Sequence, residues 1–248
     1  MLSRNELERA LAAAGLDAPV RFDEVTGSTN KTAWDLAAAG SPEWTLVAAA
    51  HQSAGRGRQG RTWVDRAGGA LMFSFVLRPA TLDPGDSGLI SLLAGVAMAD
   101  AIGHVTGVEV RCKWPNDLVL GDAKVGGILV ESSVADGALR FAVVGVGVNL
   151  DAPTGVEGAA GLGDVDQTAL LSAFIRRFHG GYEVLPAGVV DQWSSASATL
   201  GRDVEAVRAN RPSIRGRAVA VDERGALVVL TSDGSRVAVT SGEVTHLR

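Results

Sequence analysis

The sequence is poor in thiols and histidines: Cys112 is its only cysteine, and it has four histidines. A single thiol cannot form an internal disulfide, so we expect a cytoplasmic protein in a reducing compartment. One cysteine and four scattered histidines also cannot supply a zinc cluster. There is no uncharged apolar run of about 18 residues, and charges run through the N-terminal stretch, so we expect neither a membrane span nor a signal peptide.

The chain also lacks an excess of positive charge. Its net charge is -5 and its pI is near 5.4, which argues against a protein that binds nucleic acid over its whole surface. With 248 residues, of which 46% are hydrophobic, it can form one large domain or a large and a small one. Against this acidic background, three arginines within residues 56–61 stand out and favour a small anionic ligand.

Hydrophobic periodicity and turn residues predict the elements of the fold. Helices are predicted over residues 3–15, 29–39, 87–103, 166–185 and 187–197, and strands over 45–50, 70–77, 108–113, 124–134 and 138–149. Asp136-Gly137 is a hairpin signal between the last two strands. After Leu200 the chain reads as short β-branched strands, which predicts a small β-barrel. We therefore expect an α/β (α+β) main domain over residues 1–199 and a barrel over 200–248.

The strand over residues 138–149 carries Gly145, Gly147 and Asn149 on one face, because alternate residues of a strand point the same way. Two glycines on one face leave room for a close approach by another group. That group is either a ligand or a tightly packed helix, and the pattern alone does not decide between them.

The stretch AGRGRQGRTW (54–63) contains G-x-G-x-x-G and nearly matches a phosphate-binding P-loop. Both motifs require a helix that starts directly from the glycines, and here Gly68-Gly69 and a strand follow instead. Glycines can still expose N–H groups to an anion, and arginines bind phosphate or carboxylate bidentately. We expect a loop that is mobile when empty and closes over an anionic ligand; the alternative is a solvated surface loop.

Further polar segments lie at GSTN (27–30), KWPNDL (113–118) and Lys124. Taken singly, Ser28 or Thr29 could simply cap a helix, and Asn116-Asp117 could form an Asx turn. Together they predict one pocket with basic and small polar groups, suited to a ligand with an anionic end and a neutral polar end. No arrangement of nucleophile and base is indicated, so charge stabilisation and positioning of two reactants is the expected chemistry.

In order along the chain, five segments resemble the biotin protein ligase family. They are GSTN (27–30), HQSAGRGRQGRTW (51–63), KWPNDL (113–118), KVGGILVE (124–131) and VGVGVNL (144–150). The resemblance covers nearly the whole chain. It implies a class II synthetase-like biotin/lipoate ligase domain with a central mixed sheet, followed by an SH3-like barrel.

The resemblance also implies a reaction and roles for its residues. Biotin and ATP, with Mg²⁺, give biotinyl-5′-AMP, and the biotinyl group passes to a lysine of a biotin carboxyl carrier protein. The catalytic residues implied are Arg56, Arg58 and Lys113. The implied biotin-binding residues are these three with Ser28, Thr29, Asn30, Gln52 and Gly57. The implied ATP and adenylate residues are Arg58, Arg61, Trp63, Asn116, Asn149 and Lys124. The ligands of the metal stay unknown, although Asn116 and Asp117 could reach Mg²⁺.

Some relatives of this type carry an N-terminal winged helix-turn-helix and repress transcription. Only about 20 residues precede the strand-like VRFDEV (20–25), so we expect no operator-specific DNA binding. An exposed strand of the main domain could pair with a second copy, which leaves a homodimer open. The alternatives to a biotin ligase are a lipoate or octanoate ligase of the same superfamily and a non-catalytic biotin-binding module. The arginine loop and KWPND favour biotin and catalysis.

Overall fold

A computed structural model of the chain describes residues 2–208 and 211–247. The helices of the described residues are α1 (Arg4–Ala12), α2 (Thr29–Ala38), α3 (Ser87–Thr106), α4 (Gln167–Tyr182) and α5 (Val189–Ser195). The strands of the first part are β1 (Val20–Thr26), β2 (Leu46–Gln52), β3 (Ala70–Leu77), β4 (Arg111–Lys113), β5 (Asp117–Leu120), β6 (Ala123–Ala135) and β7 (Ala138–Asn149). The strands that follow are β8 (Asp203–Arg208), β9 (Arg211–Val221), β10 (Leu227–Leu230), β11 (Arg236–Val239) and β12 (Glu243–His246).

The first seven strands form one sheet in the order β1-β2-β3-β7-β6-β5-β4. β1 and β2 are parallel and the other neighbours are antiparallel, so the sheet is mixed, as predicted. The predicted hairpin joins β6 to β7, and both Asp136 (φ 54°) and Gly137 (φ 76°) take the positive φ that such a tight turn requires. The α/β fold class is confirmed.

One face of this sheet carries the larger core. Alternate residues of β3 and β7, including Phe73, Phe75, Val144 and Val146, are buried there together with α1, α3, α4 and α5. The segment Pro84–Thr106, which contains α3, is long and apolar enough to cross a membrane, but 67% of its apolar window is buried inside the protein. Its hydrophobicity is therefore explained by its place in the core. Only three residues of the predicted strand 108–113, Arg111–Lys113, form β4.

Aromatic residues are scarce in this chain, yet four of its six phenylalanines and its single tyrosine lie in one cluster on this face. Phe174 and Phe178 of α4 contact Phe73 and Phe75 of β3, with ring centroids 5.0 to 6.0 Å apart. Aromatic pairs at these separations contribute beyond the area they bury. The cluster fixes α4 to the middle of the sheet.

The opposite face of the sheet is covered by α2. Ala33 and Ala37 of this helix pack on Val76 and Val143, with Phe141 at the edge of the cluster. The helix covers only part of this face. Beyond its N-terminus the alternation of β3 and β7 places Ser74, Gly145, Gly147 and Asn149 on the same side.

The C-terminal strands form a separate antiparallel sheet in the order β11-β10-β9-β8-β12, which is the small all-β unit expected after residue 200. It contacts the main sheet at the KWPNDL segment. The Trp114 indole N–H donates to the Gly225 carbonyl at 3.0 Å, and the Trp114 backbone N–H donates to the Thr199 hydroxyl at 3.0 Å. The domain boundary at residues 199–200 stays a prediction.

The aromatic cluster yields a stability prediction. Replacing Phe174, which is fully buried, by alanine removes a ring from a close-packed core. We expect Phe174→Ala to lower the free energy of unfolding by about 3–5 kcal/mol, measured by equilibrium urea denaturation. Val184→Ala, at a position 56% exposed, is the control and should change it by less than about 0.5 kcal/mol. Equal effects of the two substitutions would contradict the assignment of the core.

Candidate functional site

A cavity of about 440 Å³ opens on the face of the sheet that α2 leaves bare. Its wall is made by the N-terminus of α2, the arginine loop, the KWPNDL segment, the start of β6 and the end of β7, with residues 242–245 of the C-terminal unit at its rim. Every site residue predicted from the sequence lines it: Ser28, Thr29, Asn30, Gln52, Arg56, Gly57, Arg58, Arg61, Trp63, Lys113, Asn116, Lys124 and Asn149. The segments of the five motifs thus meet at one place.

The arginine loop folds as a small hairpin. The Gly57 N–H donates to the Arg61 carbonyl at 2.7 Å, and the Trp63 N–H donates to the Gly55 carbonyl at 3.0 Å. A short 3-10 turn closes it at Arg58–Gly60, where Gln59 has a φ of 55°. The next regular element is strand β3, not a helix, so neither nucleotide motif has the context that it needs.

The two glycines of β7 make room for side chains of the protein itself. A Cβ on Gly147 would lie 2.7 Å from Cζ2 of Trp63, so the indole ring rests directly on the sheet at this point. A Cβ on Gly145 would overlap the side-chain amide of Asn30, in the first turn of α2. Gly145 therefore admits a helix residue, as the interpretation of a tightly packed helix expects, and Gly147 admits a side chain of the arginine loop.

A network of buried polar groups forms the wall beside α2. Gln52 Oε1 accepts hydrogen bonds from the backbone N–H and the hydroxyl of Thr29, at 2.7 and 3.1 Å. Gln52 therefore caps this helix from the neighbouring strand. Ser28 stands at the N-cap position, but its side chain makes no capping bond, so simple capping does not account for it.

The same network shows which groups are left for a ligand. Within residues 2–208 and 211–247 the Ser28 hydroxyl makes no hydrogen bond, although Ser28 is buried to 5% exposure. Gln52 Nε2 has only the sulfur of Met72, at 3.3 Å, and keeps a second N–H. Both groups line the cavity, so they can contact a polar ligand there. The buried side-chain atoms that have no hydrogen-bond partner within the described residues are Trp63 Nε1 and Asp65 Oδ1.

The basic side chains around the cavity fall into two groups. Arg56 pairs with Glu131 at 3.0 Å, Lys124 pairs with Asp117 at 2.5 Å, and Arg61 pairs with Glu243 of β12. Arg58 and Lys113 have no carboxylate partner among the residues that the structure describes. Opposed carboxylates offset the repulsion between three of the five charges, and two charges remain available for an anion.

Arg58 bears the clearest electrostatic signature. Its pKa is lowered by burial, against the opposing effect of Asp117 and with a smaller contribution from the nearby charge of Arg61. Burial of a charge without a partner is unfavourable, and a bound anion would relieve it. The Cys112 thiol is of no use as a nucleophile, because burial raises its pKa to about 12 and keeps it protonated.

Sequence reasoning missed three residues that organise the site. Ser74 is fully buried and its hydroxyl oxygen lies 2.8 Å from both Thr29 Oγ1 and Asn30 Oδ1. Glu131 holds Arg56, and Glu243 holds Arg61. Ser74 is the one polar residue within ALMFSFVL, and Glu131 ends KVGGILVE, so both had a signal in the sequence. Glu243 had none, because the topology alone brings it to the loop.

Two family models match the chain. Residues 22–149 match the biotin/lipoate A/B protein ligase family, and residues 199–247 match the biotin protein ligase C terminal domain. These matches include every residue of the predicted site. The second match coincides with the strands that form the C-terminal sheet.

Individual relatives of this chain are also ligases. The biotin–[acetyl-CoA-carboxylase] ligase of Mycobacterium tuberculosis is 33% identical, over 90% of this chain and 87% of its own length. The bifunctional ligase/repressor BirA of Bacillus subtilis is 29% identical, over 94% of this chain and 76% of its own length. A biotin protein ligase of Aquifex aeolicus, solved with biotin and ATP, has the same fold, with a TM-score of 0.77 and 24% identity over 93% of this chain and 99% of its own.

His246 of β12, which follows the residues at the rim of the cavity, gives a prediction about the pH dependence of stability. Burial, then the charges of Lys113 and Arg202, lower its pKa to about 4 from 6.5, against the opposing charge of Asp122. Between these values the unfolded chain binds the proton more readily, so this histidine makes stability fall as the pH drops from 6.5 toward 4. We expect His246→Gln to lose part of the stability difference between pH 7 and pH 5, measured by urea denaturation. The control is His104→Gln, on the exposed side of α3. If His246→Gln keeps the same stability difference between pH 7 and pH 5 as the wild type and this control, the prediction is wrong.

Proposed function

This chain belongs to the biotin/lipoate A/B protein ligase family, and we propose how its cavity performs an ATP-dependent biotin ligation. The enzyme joins biotin to the α-phosphate of ATP and forms biotinyl-5′-AMP with release of pyrophosphate. It then transfers the biotinyl group to a lysine of a protein. The roles of individual residues below are our proposal.

One observation carries the proposal: Arg58 and Lys113, which have no carboxylate partner within residues 2–208 and 211–247, line a cavity that also contains the Ser28 hydroxyl and the Gln52 amide. A carboxylate and a phosphate repel each other, and this repulsion opposes the first step. Fixed positive charges at the point where both anions meet stabilise the transition state more than either separate reactant. We assign this role to Arg58 and Lys113.

The neutral end of the substrate is assigned to the wall beside α2. Biotin carries a cyclic urea with one carbonyl oxygen and two N–H groups. The free N–H of Gln52 can donate to the carbonyl, and the Ser28 hydroxyl oxygen can accept from a ring N–H group. The dithiolane ring of lipoate has no such groups and would leave these buried polar atoms unsatisfied, which is costly. The wall therefore favours biotin over lipoate.

In the first step, a carboxylate oxygen of biotin attacks the α-phosphorus, and the bond from that phosphorus to the pyrophosphate oxygen breaks. In the second step, the amine of the acceptor lysine attacks the acyl carbon, the bond to AMP breaks, and the amine loses a proton. The mixed anhydride reacts readily with water. The hairpin of the arginine loop, closed over this anhydride, would limit its hydrolysis.

We assign the nucleotide to the part of the cavity near Trp63, whose ring offers an apolar surface above Gly127 and Gly147. ATP is expected to bind with Mg²⁺. The side-chain N–H₂ groups of Asn116 and Asn149 donate to the Ile128 and Ala160 carbonyls, and within the described residues their amide oxygens accept no hydrogen bond, so they could serve as hard ligands. Mg²⁺ keeps several waters and phosphate oxygens and needs few protein ligands. These two oxygens would hold the ion.

The acceptor is proposed to be the carrier domain of a biotin-dependent carboxylase, since the relative from Mycobacterium tuberculosis is a ligase of acetyl-CoA carboxylase. A cytoplasmic location accompanies this proposal and agrees with a single, buried cysteine.

The direct test of substrate choice is exchange of labelled pyrophosphate into ATP. We expect biotin to support the exchange and lipoate to support it at least about 10²-fold less, because only biotin satisfies the buried polar wall. Faster exchange with lipoate would refute the assignment. Tight binding of biotin with no exchange would instead indicate a binding module without activity.

Lys113 provides the test of the charge argument. Lys113→Ala should slow biotin-dependent pyrophosphate exchange by about 10²–10³-fold, because it removes a fixed charge from the reacting centre. Arg111→Ala is the matched control: Arg111 lies on the same strand, outside the cavity, and is paired with Glu109 at 3.9 Å. Exchange at the wild-type rate in Lys113→Ala, or an equal loss in the control, would remove Lys113 from this role.

A further inference from the structure

Glu131 lies in the middle of β6, outside the lining of the cavity, and its carboxylate is engaged from two directions. Arg56 of the loop approaches with both terminal nitrogens, Nη2 at 3.0 Å from Oε1 and Nη1 at 3.3 Å from Oε2. Asn30 of α2 donates from Nδ2 to Oε2 at 3.0 Å. A two-pronged pair between a guanidinium and a carboxylate fixes orientation as well as distance.

Glu131 stands on a strand that is paired on one side at this position. Glu131 is opposite Val143 of β7, whereas β5 pairs only with residues 123–127 of β6. The arginine loop is held by the two backbone hydrogen bonds of its hairpin, by the pair of Arg61 with Glu243, and by the pair of Arg56 with Glu131. The Glu131–Arg56 pair therefore joins the hairpin to the main sheet.

The second contact connects this anchor to the polar wall. Asn30 Nδ2 donates to the Leu129 carbonyl at 3.3 Å and to Glu131, while Asn30 Oδ1 lies 2.8 Å from Ser74 Oγ. Both N–H groups of the Asn30 amide are thus committed within the protein. The orientation of Asn30 depends on the same carboxylate that holds the loop.

We propose that Glu131 is a positioning residue that acts through Arg56 and Asn30. Through Arg56 it holds the arginine loop closed, and through Asn30 it orients the polar wall beside α2, which holds the neutral end of the substrate. This proposal rests on the ligase function given above. Loss of the carboxylate frees the loop to open, so the bound acyl-adenylate escapes before transfer. The chemistry of adenylation needs the loop only in its closed state and is affected less than retention of the product.

The matched variants are Glu131→Gln and Glu205→Gln. Glu205 pairs with Arg215 of the C-terminal sheet at 3.0 Å, with its side chain 23% exposed against 25% for Glu131, so the control removes a comparable ion pair elsewhere. Biotinyl-AMP is formed on each enzyme from biotin and ATP labelled in the α-phosphate. The rate at which label leaves the protein is then followed by rapid filtration.

We expect release from Glu131→Gln to be about tenfold faster than from the wild type and the control, because a partly exposed, charged hydrogen bond is lost. Release at the wild-type rate would overturn the proposal.

Limited proteolysis tests the same contact without any substrate. Trypsin should cleave after Arg58 and Arg61 about tenfold faster in Glu131→Gln than in the control, because the loop opens more often. Equal cleavage rates would overturn the proposal whether or not the protein is a ligase. Absence of biotinyl-AMP in the wild type, together with faster cleavage of the variant, would refute the ligase function and leave the anchor established.

Discussion

The repulsion between a carboxylate and a phosphate is the constraint on which this site depends. The protein gathers five basic side chains around one cavity, and such a group would itself repel and stay disordered. Carboxylates from β5, β6 and β12 compensate Lys124, Arg56 and Arg61 respectively. Arg58 and Lys113 form no ion pair within the described residues. The fold thus stabilises the assembly while leaving positive charge where the reaction requires it.

Shape is the second requirement, and it explains the glycines of β7. One face of the sheet packs against four helices and forms the larger core. The stability of the main domain therefore depends less on the opposite face. On that other face α2 is short and covers only part of the strands. Gly145 and Gly147 let Asn30 and Trp63 approach the sheet closely. Any larger residue at either glycine would displace these side chains from the cavity wall.

The sequence predicted most of the elements through hydrophobic periodicity, which is a local property. The mixed sheet and part of the set of cavity residues were implied by the resemblance to biotin protein ligases. The sequence could not predict the partners of these residues. Gln52 caps a helix 23 residues away, Ser74 meets Thr29 across 45 residues, and Glu131 meets Arg56 across 75. Such contacts are set by strand order and register. The 3-10 turn at Arg58–Gly60 was also beyond the pattern, because no motif of the sequence specified the conformation of the arginine loop.

The central claim is that this cavity activates biotin and passes it to a protein lysine. The most direct measurement is the transfer of labelled biotin to a purified carrier domain of a biotin-dependent carboxylase, followed by mass spectrometry of the product. The account predicts covalent label on one lysine, only with ATP and Mg²⁺, with one AMP released for each biotin attached. Label that stays non-covalent, or attachment without ATP, would contradict it.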